Sequence, residues 1–442
     1  MRSMKSKKVA LINLGCSKNL VDAEEILGRV AEAGSTICQH PEDAEVLIIN
    51  TCGFVDDSKK ESIDAIFKMA KLKEDARCKK LIVTGCLAQR YPSELQKEIP
   101  EIDHVVGLKD FDTLVDLSAS GYKKKKASSA LCGDDWRNRI RLTPKHYAYL
   151  RISDGCDNRC TYCAIPGIRG RFHSRTIENI LEEAHQMAGE GVKEINVISQ
   201  DTTSYGIDLY GKQQLHVLLE KLSRIEGIEW VRILYTHPRH FYPELISAIG
   251  RFDKICKYID LPIQHSNDTV LKEMGRGVTH AQIESLIDEL RSHIPKLFLR
   301  TSVIVGFPGE TEEYFTGLLE FVRQIQFERL GVFTYSREEG TPAASLKEQV
   351  PKEIKEQRLK EVMLTQQEIV LKKHKNLVKN TISVIVDEKD ETGKAWLGRT
   401  YGDAPDVDSK VIIRENHLKV GDIKKMMITG TRGYDLLGKT ET

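Results

Sequence analysis

No apolar run in these 442 residues is long enough to span a bilayer, so no membrane-spanning helix and no membrane partner are expected. Charge of one sign is missing too. The chain carries 66 Lys and Arg against 65 Asp and Glu, a formal net charge of +1. That balance gives no overall bias toward nucleic acid or a membrane surface. The basic start, Met1 to Lys8, leads only into a strand-length apolar stretch, so a secretory signal is not expected. Ten cysteines without an export signal point to a reducing, cytoplasmic compartment and to metal or redox use. The length suits two to four domains.

Three of the cysteines stand together in Cys156-Asp157-Asn158-Arg159-Cys160-Thr161-Tyr162-Cys163. A zinc knuckle needs a fourth ligand, and none lies beside the triplet at zinc spacing; His173 is ten residues past Cys163. A disulfide with a spare thiol fits a secreted chain, which this is not expected to be. Thiolates are soft ligands suited to iron–sulfur clusters. Three of them on a four-iron cluster leave one iron open to a small molecule. The expected strand Tyr147–Ser153 and the turn at Gly155 lead into this loop, and the aromatic Tyr162 precedes its last cysteine. The pattern resembles that of the radical S-adenosylmethionine (SAM) enzymes.

Upstream, short apolar runs at Val9–Leu14, Val46–Asn50 and Leu81–Thr84 read as buried parallel strands. Helical patterns at about Leu20–Ala33 and Asp57–Leu72 lie between them, with Gly34 as a stop. The alternation predicts a small α/β domain. Cys16, Cys52 and Cys86 each follow a strand. Parallel strands end on one edge of their sheet, where open α/β sheets bind ligands, so the three thiols are expected to converge. Gly15, Gly53 and Gly85 would let the backbone turn close to a cluster. The competing reading is three buried cysteines acting as small hydrophobes. Cys38, Cys78, Cys132 and Cys256 show no such pattern and read as structural or incidental.

Asn13-Leu14-Gly15-Cys16-Ser17-Lys18-Asn19, Asn50-Thr51-Cys52-Gly53-Phe54 and Thr84-Gly85-Cys86-Leu87-Ala88-Gln89-Arg90 resemble the methylthiotransferases, a radical SAM subfamily. The resemblance covers nearly the whole chain. It implies two 4Fe–4S clusters, one on Cys156, Cys160 and Cys163 and a second on Cys16, Cys52 and Cys86, with SAM as cosubstrate and an external electron donor. The domains expected are an N-terminal methylthiotransferase domain over 7–121, a linker over 122–141, a radical SAM barrel over 142–373 and a TRAM domain over 374–442.

The linker region holds the run Lys123-Lys124-Lys125-Lys126, a solvated segment or a contact for an acidic partner. Strands are then expected at Tyr147–Ser153, Glu194–Ser199, Trp230–Tyr235, Tyr258–Leu261, Phe298–Val305 and Leu330–Tyr335, with helices between them such as Ile177–Gly189 and Glu312–Ile325. Six strand–helix repeats make a partial parallel barrel, with ligands at the carboxyl ends of its strands. In the family these ends hold SAM. The resemblance places Tyr162, Ile304 and Gly306 there, the last two within Ser302-Val303-Ile304-Val305-Gly306-Phe307-Pro308-Gly309-Glu310. Ser302 stands where the family's pattern has glycine. The Gly-Gly-Glu that many relatives carry after strand two is absent, so Gln200 and Gln264 are offered as SAM contacts, with ordinary loop residues as the alternative. His265 reads as a structural histidine rather than an acid–base group. The arginines of Arg169 to Arg175 would bind a carboxylate on SAM or substrate, or lie solvated.

Lys352 to Lys375 reads as a connecting helix. Ile382–Val386, Ala395–Arg399, Val411–Arg414 and Lys425–Thr431 then read as strands of a small OB-like barrel. The resemblance names this the TRAM domain, a module that usually grips RNA and so a contact for ribosome or rRNA. Yet residues 376–442 carry eleven Lys and Arg and eleven Asp and Glu. The three carboxylates of Gly398 to Asp408 suggest docking of a basic protein partner; the alternative is that the neutral total hides a local basic patch. The Leu14-to-Asn19 opening, the Tyr401-to-Asp408 segment and the neutral tail resemble the RimO-type branch, which inserts sulfur and a methyl group at the β-carbon of an aspartate in a small-subunit ribosomal protein, uS12. The alternatives are the branch that modifies a tRNA adenosine and, from another class, a non-catalytic iron–sulfur sensor or scaffold.

Overall fold

The computed structural model describes residues 6–75, 77–108, 110–119, 136–415 and 417–441. Cys132 and the Lys123–Lys126 run lie outside the described residues. Contacts divide the chain into two units. The first is the chain up to Leu142 with Arg151–Asp157 and Cys163–Arg175; the second is Thr143–Leu150, Asn158–Tyr162 and everything from Thr176 on.

The first unit is built on five strands: β1 (Lys8–Asn13), β2 (Thr36–Ile37), β3 (Val46–Thr51), β4 (Lys80–Gly85) and β5 (His104–Val105), in the order β2-β1-β3-β4-β5. Every pairing is parallel. β3 is buried along its whole length, as a central strand covered on both faces must be. Successive side chains point to opposite faces. Val46 and Ile48 therefore pack with Ile26 and Val30 of the helix Ser17–Glu32. Leu47 and Ile49 pack with Ile66 and Met69 of the helix Asp56–Asp75. Each such side chain contributes roughly 1.5–3 kcal/mol by leaving water. The edge strands β2 and β5 have two residues each, too short to leave a periodic signal. The first helix starts at Ser17 rather than Leu20, immediately after Cys16.

The second unit holds most of a six-stranded open sheet. It begins with β6 (Tyr147–Arg151). The expected strand to Ser153 is broken at Ile152, where a short antiparallel pair, β7 (Ser153–Asp154) with β8 (His173–Ser174), clasps the two ends of the cysteine segment. β9 (Glu194–Ile198), β10 (Trp230–Ile233), β11 (Ile255–Asp260), β12 (Phe298–Val305) and β13 (Arg329–Thr334) follow in chain order across the sheet, and β9 to β13 pair in parallel. This is the partial barrel. The helix Lys352–Leu377 leads to a closed barrel of β14 (Thr381–Lys389), β15 (Trp396–Thr400), β16 (Val411–Ile413), β17 (Ile423–Arg432) and β18 (Asp435–Thr440). It has one strand more than the four expected. Val384, Val386, Val411, Ile413, Met426, Ile428 and Leu436 fill it.

The acidic segment of this small barrel has Asp403 and Asp408 engaged within the fold and Asp406 exposed. It is turned onto the amino-terminal end of the large one. Asp403 accepts from the Arg329 guanidinium at the start of β13, and Asp408 accepts from the Tyr258 hydroxyl at 2.8 Å with Arg300 3.5 Å away. Asp406 accepts from the Tyr147 hydroxyl at 3.3 Å. Arg399 reaches Glu194 at 2.7 Å and Asp387 at 2.8 Å, and Glu194 also holds Arg232 at 2.8 Å. Arg232, Arg329 and Arg399 are buried and Arg300 is half-buried, and a buried charge must be paired. Burial pushes the Glu194 carboxyl up, but Arg399 and Arg232 outweigh it and hold it below its ordinary value. The ion pairs of Glu194 are thus complete above the ordinary carboxylate range and are lost as pH falls through the depressed native value. Arg399→Met should cost about 3–5 kcal/mol, the usual price of leaving a buried charge unpaired, as read by denaturant unfolding. Glu194→Gln should be less stable at neutral pH and lose less stability than wild type on acidification, as followed by melting temperature against pH.

Candidate functional site

In the first unit the three cysteines meet at the carboxyl edge of the sheet. β3 delivers Cys52 and β4 delivers Cys86, the first residue of the helix Cys86–Arg90. Cys16 is the residue before the helix Ser17–Glu32. A methyl group on Gly15 would stand 2.8 Å from Cys52 Cβ and 3.0 Å from its Sγ, and one on Gly53 would stand 2.7 Å from the Leu87 backbone. The loops therefore touch where only glycine fits.

Asn19 ties them together. It is fully buried. Its Nδ2 donates to Leu14 O at 3.1 Å and Thr51 O at 3.0 Å, and its Oδ1 lies 3.4 Å from Cys86 Sγ. Arg169, which the sequence suggested as a carboxylate binder for SAM or substrate, is buried here instead. It donates to Asn19 Oδ1 at 2.9 Å and to Asp22 at 2.6 Å. Arg151 completes the cluster by pairing with Asp22 and, at 2.8 Å, with Glu25. Burial pushes the Cys86 thiol up to about 12, with Arg169 opposing and Cys16 and Cys52 adding to the rise. A metal removes that proton outright.

The second triplet lies on a loop braced on both sides. Cys156 N donates to Gly170 O at 3.2 Å, and a methyl group on Gly155 (φ +72°) would stand 2.0 Å from Arg171 O. In the second unit, Asn158 Nδ2 donates to Asp201 at 2.8 Å. Asp201 is buried at the exit of β9 and also accepts from Thr203 at 2.5 Å, Ser204 at 2.8 Å and the His240 ring at 2.7 Å. Burial pushes its carboxyl up, yet His240, His237 and Thr203 hold it well below the ordinary range. Thr161 N donates to Met274 O and Ala343 N to Thr161 O, both at 2.9 Å. The Arg276 guanidinium stands 3.4 Å from Cys160 Sγ.

Beside this loop, Tyr162 and Ile304 join one apolar patch with Met274, Phe307 and Tyr335. Gln264 (φ +71°) exchanges backbone hydrogen bonds with Ser302 and Ile304 at 2.9 and 2.8 Å. Gly306 N donates to the buried Glu310 carboxylate, which also accepts from Phe307 N at 3.0 Å. Three of the five residues offered as SAM contacts, Tyr162, Gln264 and Ile304, are thus tied to one another by packing and strand pairing. Gln200 is half-buried directly before Asp201. His265 is fully buried, its Nδ1 accepting from Asn267 N at 2.9 Å. Cys78 is buried in an apolar core, and Cys256 is buried near the charges of Arg232 and Glu194. Asn19 and Glu310 sat inside the recognised motifs, so a question about what they bond could have found them. Asp22, Arg151 and Arg276 left no local signal.

Among the described residues no three His, Cys, Asp or Glu side chains stand close enough to hold a single metal ion.

Comparison with known proteins agrees with this architecture. Residues 8–107 match the model of the uncharacterized protein family UPF0004, 150–322 the radical SAM superfamily and 378–440 the TRAM domain. The ribosomal protein uS12 methylthiotransferase RimO of Acetivibrio thermocellus is 47% identical over 98% of both chains. Proteins of the same name from Desulfitobacterium hafniense and Clostridium botulinum are 46% identical over the same shares. The chain belongs to the RimO family of radical SAM methylthiotransferases. As a radical SAM enzyme it uses S-adenosylmethionine and an iron–sulfur cluster. The fold of this RimO-family chain is also similar to that of TsrM, a radical S-adenosylmethionine methyltransferase from Kitasatospora setae, at a TM-score of 0.55 and 14% identity over 77% of each chain. No helix among the described residues is long and apolar enough to cross a membrane.

Asp201→Ala removes the acceptor shared by Asn158, Thr203, Ser204 and His240. It is expected to loosen the Cys156–Cys163 loop, seen as faster loss of iron to a chelator than in wild type.

Proposed function

We propose that this chain transfers a methylthio group to the β-carbon of an aspartate in ribosomal protein uS12. The observation that carries the reading is the near full-length likeness to relatives named for that reaction. In this reading Cys156, Cys160 and Cys163 hold the cluster that binds SAM, and Cys16, Cys52 and Cys86 hold a second 4Fe–4S cluster. The meeting of three loops around Asn19 supports the second assignment. When bound, these groups supply one-electron chemistry, sulfur and a methyl group that no side chain provides. The chain's own residues bind and orient. Tyr162, Ile304 and Phe307 form an apolar wall for the adenosine of SAM, and Gln200, Gln264 and the Gly306 backbone offer polar contacts. Electrons come from an external donor, and the reaction takes place in the cytoplasm, where ribosomes are made.

The TRAM domain in this reading contacts ribosomal RNA. Its neutral total conceals an uneven surface. Lys379, Lys389, Lys394, Arg414, Lys419, Lys424, Lys425, Arg432 and Lys439 are exposed, against Glu388, Glu391, Asp406 and Glu441. Asp403 and Asp408 are spent on the large barrel. This surplus of exposed cations supports phosphate contact with a steep salt dependence. It also keeps a tRNA adenosine as the rival substrate.

The deciding assay is anaerobic. Protein with both clusters rebuilt is given SAM, a reductant, and uS12 in competition with unmodified tRNA. Mass spectrometry should find the methylthio group on an aspartate of uS12; a tag on tRNA adenosine would overturn the substrate assignment. Cys160→Ala should abolish SAM cleavage. Cys52→Ala should cleave SAM and yield no methylthio product. Normal product from either variant would refute the division of roles.

A further inference from the structure

Arg276 has no place in the reaction as described above, yet the chain goes to some length to bury it. It follows the helix Asp268–Glu273 in the turn Gly275-Arg276-Gly277. Both glycines are left-handed, at φ +68° and +63°, a conformation costly to other residues. A methyl group on Gly275 would stand 2.6 Å from Arg159 O, and one on Gly277 would stand 2.8 Å from Arg239 Nη1. The two glycines thus let the turn lie close against Arg159 of the cysteine loop on one side and Arg239 on the other, with the arginine between them buried. Its side chain is almost wholly buried. Nη1 donates to Cys160 Sγ at 3.4 Å and Nη2 to Pro262 O at 2.5 Å, while Nε is buried with no hydrogen-bond partner.

A buried guanidinium normally faces a carboxylate. Asp201 is the nearby acid that acts on its charge, but that carboxylate is already engaged by Asn158, Thr203, Ser204 and His240. Besides the Pro262 carbonyl, the group Arg276 touches is a cysteine sulfur. A single neutral thiol is a poor partner for a buried cation, whereas a thiolate bound to iron carries charge and accepts hydrogen bonds.

We propose that Arg276 is a positioning and charge-tuning residue for the SAM-binding cluster, donating a charge-assisted hydrogen bond to the Cys160 thiolate and raising that cluster's reduction potential. The inference rests on Cys160 being a ligand of that cluster. Hydrogen bonds to cluster sulfurs and nearby positive charge favour the reduced, more negative state. Through Pro262 O the same side chain fixes the start of the Pro262–His265 segment, so the cysteine loop and the segment carrying Gln264 share one anchor.

The test is a potentiometric titration followed by electron paramagnetic resonance on the full chain with its clusters rebuilt. The signal that changes when SAM is added identifies the relevant cluster. A chain with no SAM-responsive signal would refute the assignment of Cys160 itself, separately from the role of Arg276. Arg276→Met should move the midpoint of that signal to more negative potential and leave any other cluster signal in place. Arg276→Lys, which keeps the charge, should recover most of the shift. If the methionine variant fails to assemble the cluster, Arg276→Gln is compared with Arg276→Lys. The charge argument requires the glutamine variant to lie at the more negative potential. An unchanged midpoint in Arg276→Met, or equal midpoints for the glutamine and lysine variants, would overturn the proposal.

Discussion

Strand direction is the constraint on which the rest depends. Two sheets in this chain are parallel, and a parallel sheet delivers every strand's carboxyl end to one edge. Asn13 at the end of β1 therefore lies beside Asn50, and Thr51 at the end of β3 beside Gly85 at the end of β4, so the cysteines that follow are delivered to one edge. In the larger sheet the same rule puts Asp201, Gln264 and Gly306 on one rim. The motifs need no long-range instruction to converge. They need only to sit just beyond parallel strands.

The opposite end of the large barrel faces a different problem. Its amino-terminal rim carries Glu194, Arg232, Arg300 and Arg329, charges that cannot be left in a low-dielectric interior unpaired. The small barrel answers with Arg399, Asp387, Asp403 and Asp408. The charges that make the tail neutral by count are those the fold consumes, and what remains on its surface is basic. The two rims thus divide the labour: one rim carries the cysteine loop and the groups offered to SAM, and the other holds the domain that reaches outward.

Much of the architecture could be read along the chain. Long apolar runs at Val46–Thr51 or Phe298–Val305 announce buried strands, and the two cysteine triplets stand out by spacing and by place after a strand. Strands of two residues, such as Thr36–Ile37, leave no period to detect. The break at Ile152 follows from the pairing of Ser153–Asp154 with His173–Ser174, some twenty residues away, which no local pattern reveals. Arg169 is the clearest case of misdirection. Its neighbourhood in the chain suggested an anion site, but its partners, Asn19 and Asp22, are about 150 residues distant.

By itself, then, the sequence determined the order of domains, the class of chemistry and the family, because these depend on local periodicity and on short motifs whose spacing is the signal. Tertiary structure alone decided which charges are spent and which are available. Asp403 and Asp408 look like a docking patch until Arg329, Arg300 and Tyr258 are seen beneath them, and Arg276 looks like any loop arginine until Cys160 is found against it. The physical reason is that the state of a charge depends on its dielectric surroundings and its partners, and both are set by residues remote in the chain.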